Sequence, residues 1–202
     1  MTGRERVLNT LAFRGSDRIP LDIWVLPAAR LAHGQAFEEL QARYADRLDI
    51  TSFVGPFDHG FTPEYYQVGT YTDPWGSRWT NIQAGVVGEV KHPVFADYEA
   101  MKGYTPPTEQ FLREWERNKP ALTGQIAAAR KTGKFLIGGW VSVFERFQFL
   151  RGTENLYCDI ALEEPEMFAM MDMVMEFLRV YVDAWLAMDV DAVPFGDDWG
   201  TQ

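Results

Sequence analysis

Cysteine is nearly missing from this chain of 202 residues, with Cys158 standing alone. No disulfide can therefore form within it, which excludes the stapled frameworks of small secreted domains, and no structural zinc site can be assembled from cysteine pairs. Basic residues are also in deficit, 19 Lys and Arg against 29 Asp and Glu, for a formal net charge of −10. A phosphate-backbone partner needs clustered cations, so nucleic-acid binding is excluded, and no basic amphipathic helix favours an anionic membrane surface. Long apolar runs are missing as well: nothing approaches the length of a membrane span, and the opening "MTGRERVLNTLAF" has no apolar signal core. Neither G-x-G-x-x-G nor G-x-x-x-x-G-K-[ST] opens a helix, which counts against a nucleotide-binding sheet. Only three histidines occur, at no standard metal-ligand spacing, and His33 and His92 read as surface residues. The expectation is a cytoplasmic protein that takes neither nucleic acid nor membrane.

What is present argues for a packed core. Apolar residues make up 47% of the chain and aromatics 14%, enough for a chain of this length to bury roughly 70% of its unfolded surface. The spacing predicts a first helix over 3–14, with Thr2 as cap and Glu5 reaching back, ended by Gly15. "RIPLDIW" (18–24) reads as a strand, 35–46 as a helix and "LDITSFV" (48–54) as a further extended piece. The stretch 55–107 holds most of the prolines, glycines and aromatics and predicts two or three antiparallel strands, with turns at 73–76 and near Gly85. "DPWGSRW" within it reads as turn chemistry with aromatic packing. Helices are expected over 108–117 and 119–131, with Pro120 in a first turn, then a strand at "KFLIGGW" (134–140). Helices over 142–152, 153–162 and 164–188 follow, the last with an apolar face of Met167, Met171, Val174, Phe177, Leu178, Tyr181 and Trp185, and "VDAVPF" (190–195) closes as a strand.

Strands separated by helices imply parallel pairing with right-handed crossovers. The expected class is α/β, a (β/α)8 TIM-barrel type. About four or five strand–helix units are present against the roughly 250 residues that eight require, so the barrel is expected to be incomplete, with a β-hairpin insertion over 55–107 in a single domain over 1–202.

In parallel α/β folds, chemistry collects where strands run out. That rule selects Arg30 after the first strand, a two-pronged donor for a substrate carboxylate. It selects Asp58 and His59 after the second, and Glu145 and Arg146 after the third. After the last come Asp197, Asp198 and Trp199, flanked by Gly196 and Gly200, which permit close ligand approach. Adjacent carboxylates on an extended segment point to opposite sides, so one of Asp197 and Asp198 should face the site and the other order the loop through backbone N–H groups.

"ERVLNTLAFRGSDRIPLDIW", "YTDPWGSRWTNIQAGVVGEVKHPVFADYEAMKGYTPP", "FERFQFLRGTENLYCDI" and "VDAVPFGDDWGTQ" occur in an order that resembles the uroporphyrinogen decarboxylase superfamily, which also contains corrinoid- and thiol-dependent methyltransferases. The resemblance implies a (β/α)8 fold, and it implies that the chain is the N-terminal part of a longer protein. True decarboxylases carry an M-R-Q-A-G-R segment whose arginines grip the acetate and propionate arms of the tetrapyrrole. Here the stretch is "WVLPAAR", in which only Arg30 matches, and Asp58 is a loose match to the aspartate that binds pyrrole N–H groups. The chain thus resembles the methyltransferase branch more closely. In that branch a zinc ion held by His-x-Cys and a later Cys activates a thiol that takes a methyl group from a corrinoid. The resemblance places those ligands beyond Gln202, so no cofactor is expected within the chain and catalysis is expected to be incomplete; zinc and a corrinoid-protein or small-molecule substrate belong to the full-length protein. A decarboxylase of porphyrin biosynthesis is the sibling reading. A non-catalytic half-barrel binding module, with a homodimer as one of its forms, is a different class. A glycoside hydrolase using Glu145 and Asp198 is a third.

Overall fold

The computed structural model describes residues 1–57 and 63–198. Helix α1 (Gly3–Leu11) is followed by a segment without regular secondary structure, helix α2 (Pro27–Tyr44) and strand β1 (Ile50–Phe53). Strands β2 (Gly69–Thr72), β3 (Arg78–Asn81) and β4 (Glu89–His92) precede the long helix α3 (Thr108–Arg130). Strand β5 (Phe135–Gly138) then leads to α4 (Phe144–Arg151), α5 (Thr153–Leu162) and α6 (Pro165–Leu186). No helix among the described residues is long and apolar enough to cross a membrane.

The expected barrel is not what forms. Among the described residues two small sheets are present instead: β1 pairs with β5 in parallel, and β2, β3 and β4 make a separate antiparallel sheet. Two segments expected as strands account for the difference. Residues 18–24 form no ladder; Pro20 lacks an N–H, and among the described residues the one backbone–backbone bond from the segment toward the sheet runs from the Asp49 amide to the Leu21 carbonyl, at 2.8 Å. Residues 190–195 reach β5 only through isolated parallel bridges, Ile137 with Ala192 and Val141 with Phe195.

Elsewhere the local rules hold. Thr2 and Glu5 form a reciprocal cap on α1. The antiparallel sheet forms in the 55–107 stretch, with Tyr71 opposite Trp79 and their rings stacked 5.8 Å apart. Two expected helices merge into α3 because Trp115, Leu122 and Ile126 continue one buried face across Pro120. Packing of that face offsets the roughly 3 kcal/mol a mid-helix proline costs. Helix α2 starts earlier than expected, at Pro27, and bends at Gly34, whose φ of 48° lies in the left-handed region.

The core is the interface of α3 and α6 with the parallel pair. Phe111 and Trp115 of α3 meet Phe177, Tyr181 and Trp185 of α6, all buried. The Trp185 indole is fully buried and lies across the ends of both parallel strands, edge-on to Trp115 at 5.1 Å. A β-carbon on Gly55, Gly138 or Gly139 would collide with its ring. Gly139 also has a φ of 71°, so two constraints fix it as glycine.

At the opposite end of the strands, two carboxylates mirror each other. Asp49, one residue ahead of β1, accepts from Arg6 at 2.5 Å, from Arg18 at 2.6 Å and from the Leu21 amide at 2.8 Å. Asp191, one residue ahead of the Ala192 bridge, accepts from Arg4 at 2.8 Å, Arg130 at 2.7 Å and the Leu136 amide at 2.9 Å. Burial pushes each carboxyl up, but these donors together hold both below the ordinary aspartate value. Arg6 also donates to Asp17 at 2.6 Å, and that bond brings Asp17 down to about 2.

Two outcomes follow from this arrangement. Trp185→Ala should cost about 3–5 kcal/mol in urea unfolding, and Gly138→Ala should cost less in a Trp185→Leu background than in the native one, because the clash partner is gone. For pH, all three aspartates have lowered folded-state values, so their contribution is fully present above the unfolded value near 4 and is lost as pH falls. The urea midpoint should stay flat from pH 7 to about 5 and drop steeply toward pH 2. Asp17→Asn should blunt that drop.

Candidate functional site

The carboxyl ends of β1 and β5 and the 190–195 segment converge on one small region. Gly139 closes β5 with its amide on the Phe53 carbonyl at 3.0 Å, and Trp140 follows with its amide donating to the Tyr181 hydroxyl at 3.0 Å. The Trp140 indole lies against Gly196, where any β-carbon would meet its ring. The indole Nε1 donates to the Ser142 hydroxyl at 3.3 Å. Ser142 is buried and stands between Glu145 Oε2 at 2.6 Å and the Gly196 carbonyl at 2.8 Å; its single proton serves one of these at a time.

The first turn of α4 is held from across the chain. Asp197 accepts the amides of Val143 at 2.7 Å, Phe144 at 2.8 Å and Glu145 at 2.9 Å. These are the orphan donors of a helix N-terminus, where a carboxylate is favoured by both hydrogen bonding and the helix dipole. "SVFE" (142–145) has the spacing of a capping box, Ser142-x-x-Glu145, but Asp197 takes the amides and the two box residues bond each other instead.

Arg146, the next residue, turns inward and is buried. Its guanidinium lies 3.4 Å from Asp73, 5.1 Å from the Trp75 ring centre and 5.6 Å from that of Phe149. Asp73, whose side chain is fully buried, also accepts from the Ser77 amide at 2.9 Å and the Trp79 indole at 3.1 Å. The "DPWG" turn thus ties the antiparallel sheet to α4 through a buried ion pair in an aromatic nest. Burial pushes the nearby Tyr65 hydroxyl up to about 12 despite the Arg146 charge, and burial likewise raises Tyr71 and Tyr104. None of these phenols ionises near neutrality, so they serve as neutral walls and not as bases.

Between these groups lies a cavity of about 20 Å3, walled by Phe57, Trp75, Phe177 and Tyr181, with Ser142 and Arg146 as polar members. That is room for about one water molecule. The arrangement can hold a small polar group between a guanidinium and a hydroxyl while Glu145 stands beside it.

The expected site residues divide into three sets. Glu145, Arg146 and Asp197 come together at the strand ends; Asp198 is next in the chain and exposed. Arg30 is exposed on α2, where the bend at Gly34 folds it onto its own helix: Glu38 at 2.6 Å, Gln41 at 3.4 Å and the Phe37 ring at 5.7 Å. Asp58, His59 and Trp199 lie outside the described residues. Sequence reasoning passed over Ser142, Trp140 and Asp73. The capping-box spacing marks Ser142, and an Asp–Pro–Trp–Gly turn marks Asp73 as a side chain that bonds backbone two to four residues on.

A thiolate-activating zinc site does not fit what is described. Among the described residues no group of three or more His, Cys, Asp or Glu side chains could hold a metal ion, and Cys158 is exposed on α5. Compared with known protein families, the chain matches no family model. Compared with curated proteins, it matches none.

Removing the Asp197 carboxylate should loosen this end of the fold. Asp197→Ala should cost about 2 kcal/mol and Asp197→Asn about half as much, since Asn keeps one acceptor oxygen but not the charge. Urea titration measures the cost, and faster amide exchange at Val143–Glu145 locates it.

Proposed function

We propose that the chain belongs to the uroporphyrinogen decarboxylase superfamily and serves a methyltransferase-like enzyme of corrinoid-dependent one-carbon metabolism. The observation that carries the assignment is the meeting of Trp140, Ser142, Glu145, Arg146 and Asp197 at the carboxyl ends of parallel segments. The sequence segments "FERFQFLRGTENLYCDI" and "VDAVPFGDDWGTQ", which resemble that superfamily, supply most of those residues. Within such an enzyme Asp197 fixes the first turn of α4, Ser142 fixes the Glu145 carboxylate, and Arg146 with Asp73 makes a rigid, charge-balanced wall. Glu145 is the group suited to accept the proton released when a thiol becomes a thiolate. The transfer itself forms a sulfur–carbon bond and breaks the cobalt–carbon bond of the corrinoid substrate, with the bonding pair left on cobalt.

Placement of Arg30 favours this branch over the decarboxylase. Gripping acetate and propionate arms calls for arginines aimed at the site, whereas Arg30 is engaged by Glu38 and Phe37 within α2.

The natural protein carrying this sequence, given methylcobalamin and a thiol, should consume methylcobalamin and yield one methyl thioether for each equivalent lost. Glu145→Gln should lower kcat about a hundredfold, the usual scale of a lost proton acceptor. Decarboxylation of uroporphyrinogen without methyl transfer would assign the sibling activity. Turnover of neither substrate would remove both.

A further inference from the structure

We infer that the Ser142 hydroxyl is a proton-driven switch, which ties the chain at Gly196 to the start of α4 when Glu145 is protonated and releases it when Glu145 is ionised. Ser142 Oγ lies 2.6 Å from Glu145 Oε2 and 2.8 Å from the Gly196 carbonyl oxygen, and it accepts from Trp140 Nε1 at 3.3 Å. A hydroxyl has one proton to give and two lone pairs with which to receive. Beside a carboxylate, which only accepts, that proton is committed to Glu145. The Gly196 carbonyl then lacks a donor, because Ser142 is the one it has among the described residues. A protonated Glu145 reverses the order. Its own O–H donates to the second lone pair of Ser142 Oγ, and the hydroxyl proton turns to Gly196. All four groups are then bonded at once.

The turn of the proton requires no movement of heavy atoms, and Trp140 holds both ends of it. Its indole packs against Gly196, where a β-carbon would come within 2.2 Å of the ring, and its N–H stays on Ser142 in both states. The Gly196 amide donates to the Val141 carbonyl at 2.9 Å. The peptide at Gly196 therefore has two ties to residues 141–142 in the protonated state and one in the ionised state. Its use in catalysis rests on the reading of Glu145 as a proton acceptor: the proton taken from the thiol closes the second tie beside the occupied site, and its later loss to solvent opens it.

The other ionisable groups around Glu145 have partners of their own or face solvent. Asp197, on the last segment, spends its oxygens on the Val143, Phe144 and Glu145 amides, and Asp198 beside it is exposed. Arg146 pairs with Asp73 of the 73–76 turn at 3.4 Å. Helix α6 contributes the Tyr181 hydroxyl, which takes the Trp140 amide, and α5 the Tyr157 ring, 5.9 Å from that of Phe144. None of these groups bonds the Glu145 carboxylate, whereas Ser142 does. Asp197 and Asp198 are the two whose own titration must be told apart from that of Glu145.

Labelling glycine with 13C at the carbonyl and aspartate with 15N isolates one peptide for NMR, because Gly196–Asp197 is the only Gly–Asp pair in the sequence. Between about pH 8 and pH 4 its carbonyl shift should titrate with the same midpoint as the Glu145 carboxyl carbon. Glu145→Gln, whose side-chain amide donates to Ser142 as the protonated acid does, should hold the Gly196 carbonyl at its acidic shift throughout. Ser142→Ala should abolish the Gly196 response while Glu145 still titrates. The Gly196 amide, corrected for intrinsic exchange, should exchange about two- to tenfold faster above the midpoint than below it, the scale of one hydrogen bond. A Gly196 carbonyl that ignores pH, or one that still follows it in Glu145→Gln or Ser142→Ala, would overturn the switch. These spectra contain no substrate, so failure of methyl transfer leaves the switch standing, and failure of the switch leaves methyl transfer to its own assay.

Discussion

The Trp185 indole decides how this fold is put together. It is the point at which α3, α6 and the ends of both parallel strands share one volume, and it is accommodated only because glycines at positions 55, 138 and 139 remove every side chain above it. An indole buried to this extent is worth several kcal/mol. It also sets a distance: with no side chain between, the strand ends sit directly on the helix layer. Trp140, which follows the last of those glycines, is thereby placed over Tyr181.

Two kinds of fastening then act at opposite ends of the parallel pair. At the amino end, Asp49 and Asp191 each gather two arginines and one backbone amide, and Asp17 on Arg6 and Asp189 on Arg130 balance the second positive charge of each cluster. At the carboxyl end a third aspartate, Asp197, does the same with helix amides alone. The polar groups between α4 and the strand ends are therefore mostly bonded within the protein, although the buried Trp185 Nε1 beside Gly139 has no hydrogen-bond partner among the described residues. Ser142, whose one proton has two acceptors within reach, lies next to the water-sized cavity.

Much of the secondary structure was legible in the sequence, because helix faces and turn residues are local signals. α5 was anticipated to the residue, and the cap on α1 and the antiparallel strands were anticipated in kind. What misled was the step from segments to sheet. "RIPLDIW" and "VDAVPF" have strand composition, but pairing is a property of neighbours, and Pro20 and Pro194 each remove a donor from a potential ladder. The merging of two helices across Pro120 was equally non-local, since it depends on the α6 face opposite. At the site, the pairing of Asp197 with α4 could not be read from either segment alone. The preceding acids in "LDIT" and "VDAV" carried a signal that went unread: a lone carboxylate just ahead of an apolar extended run, with arginines elsewhere to meet it.

The cap on α4 has a temporal side. Val143 and the carboxylate that receives its amide are 54 residues apart. Closing a loop of that length costs chain entropy before any bond is gained, and contacts of high sequence separation form late. During synthesis α4 therefore emerges with its first turn unsatisfied, and it stays frayed until α5, α6 and the segment after them have left the ribosome. The strand-end cluster is thus among the last parts of the molecule to take shape, and a nascent chain stalled before residue 197 holds every neighbouring element without the site they frame.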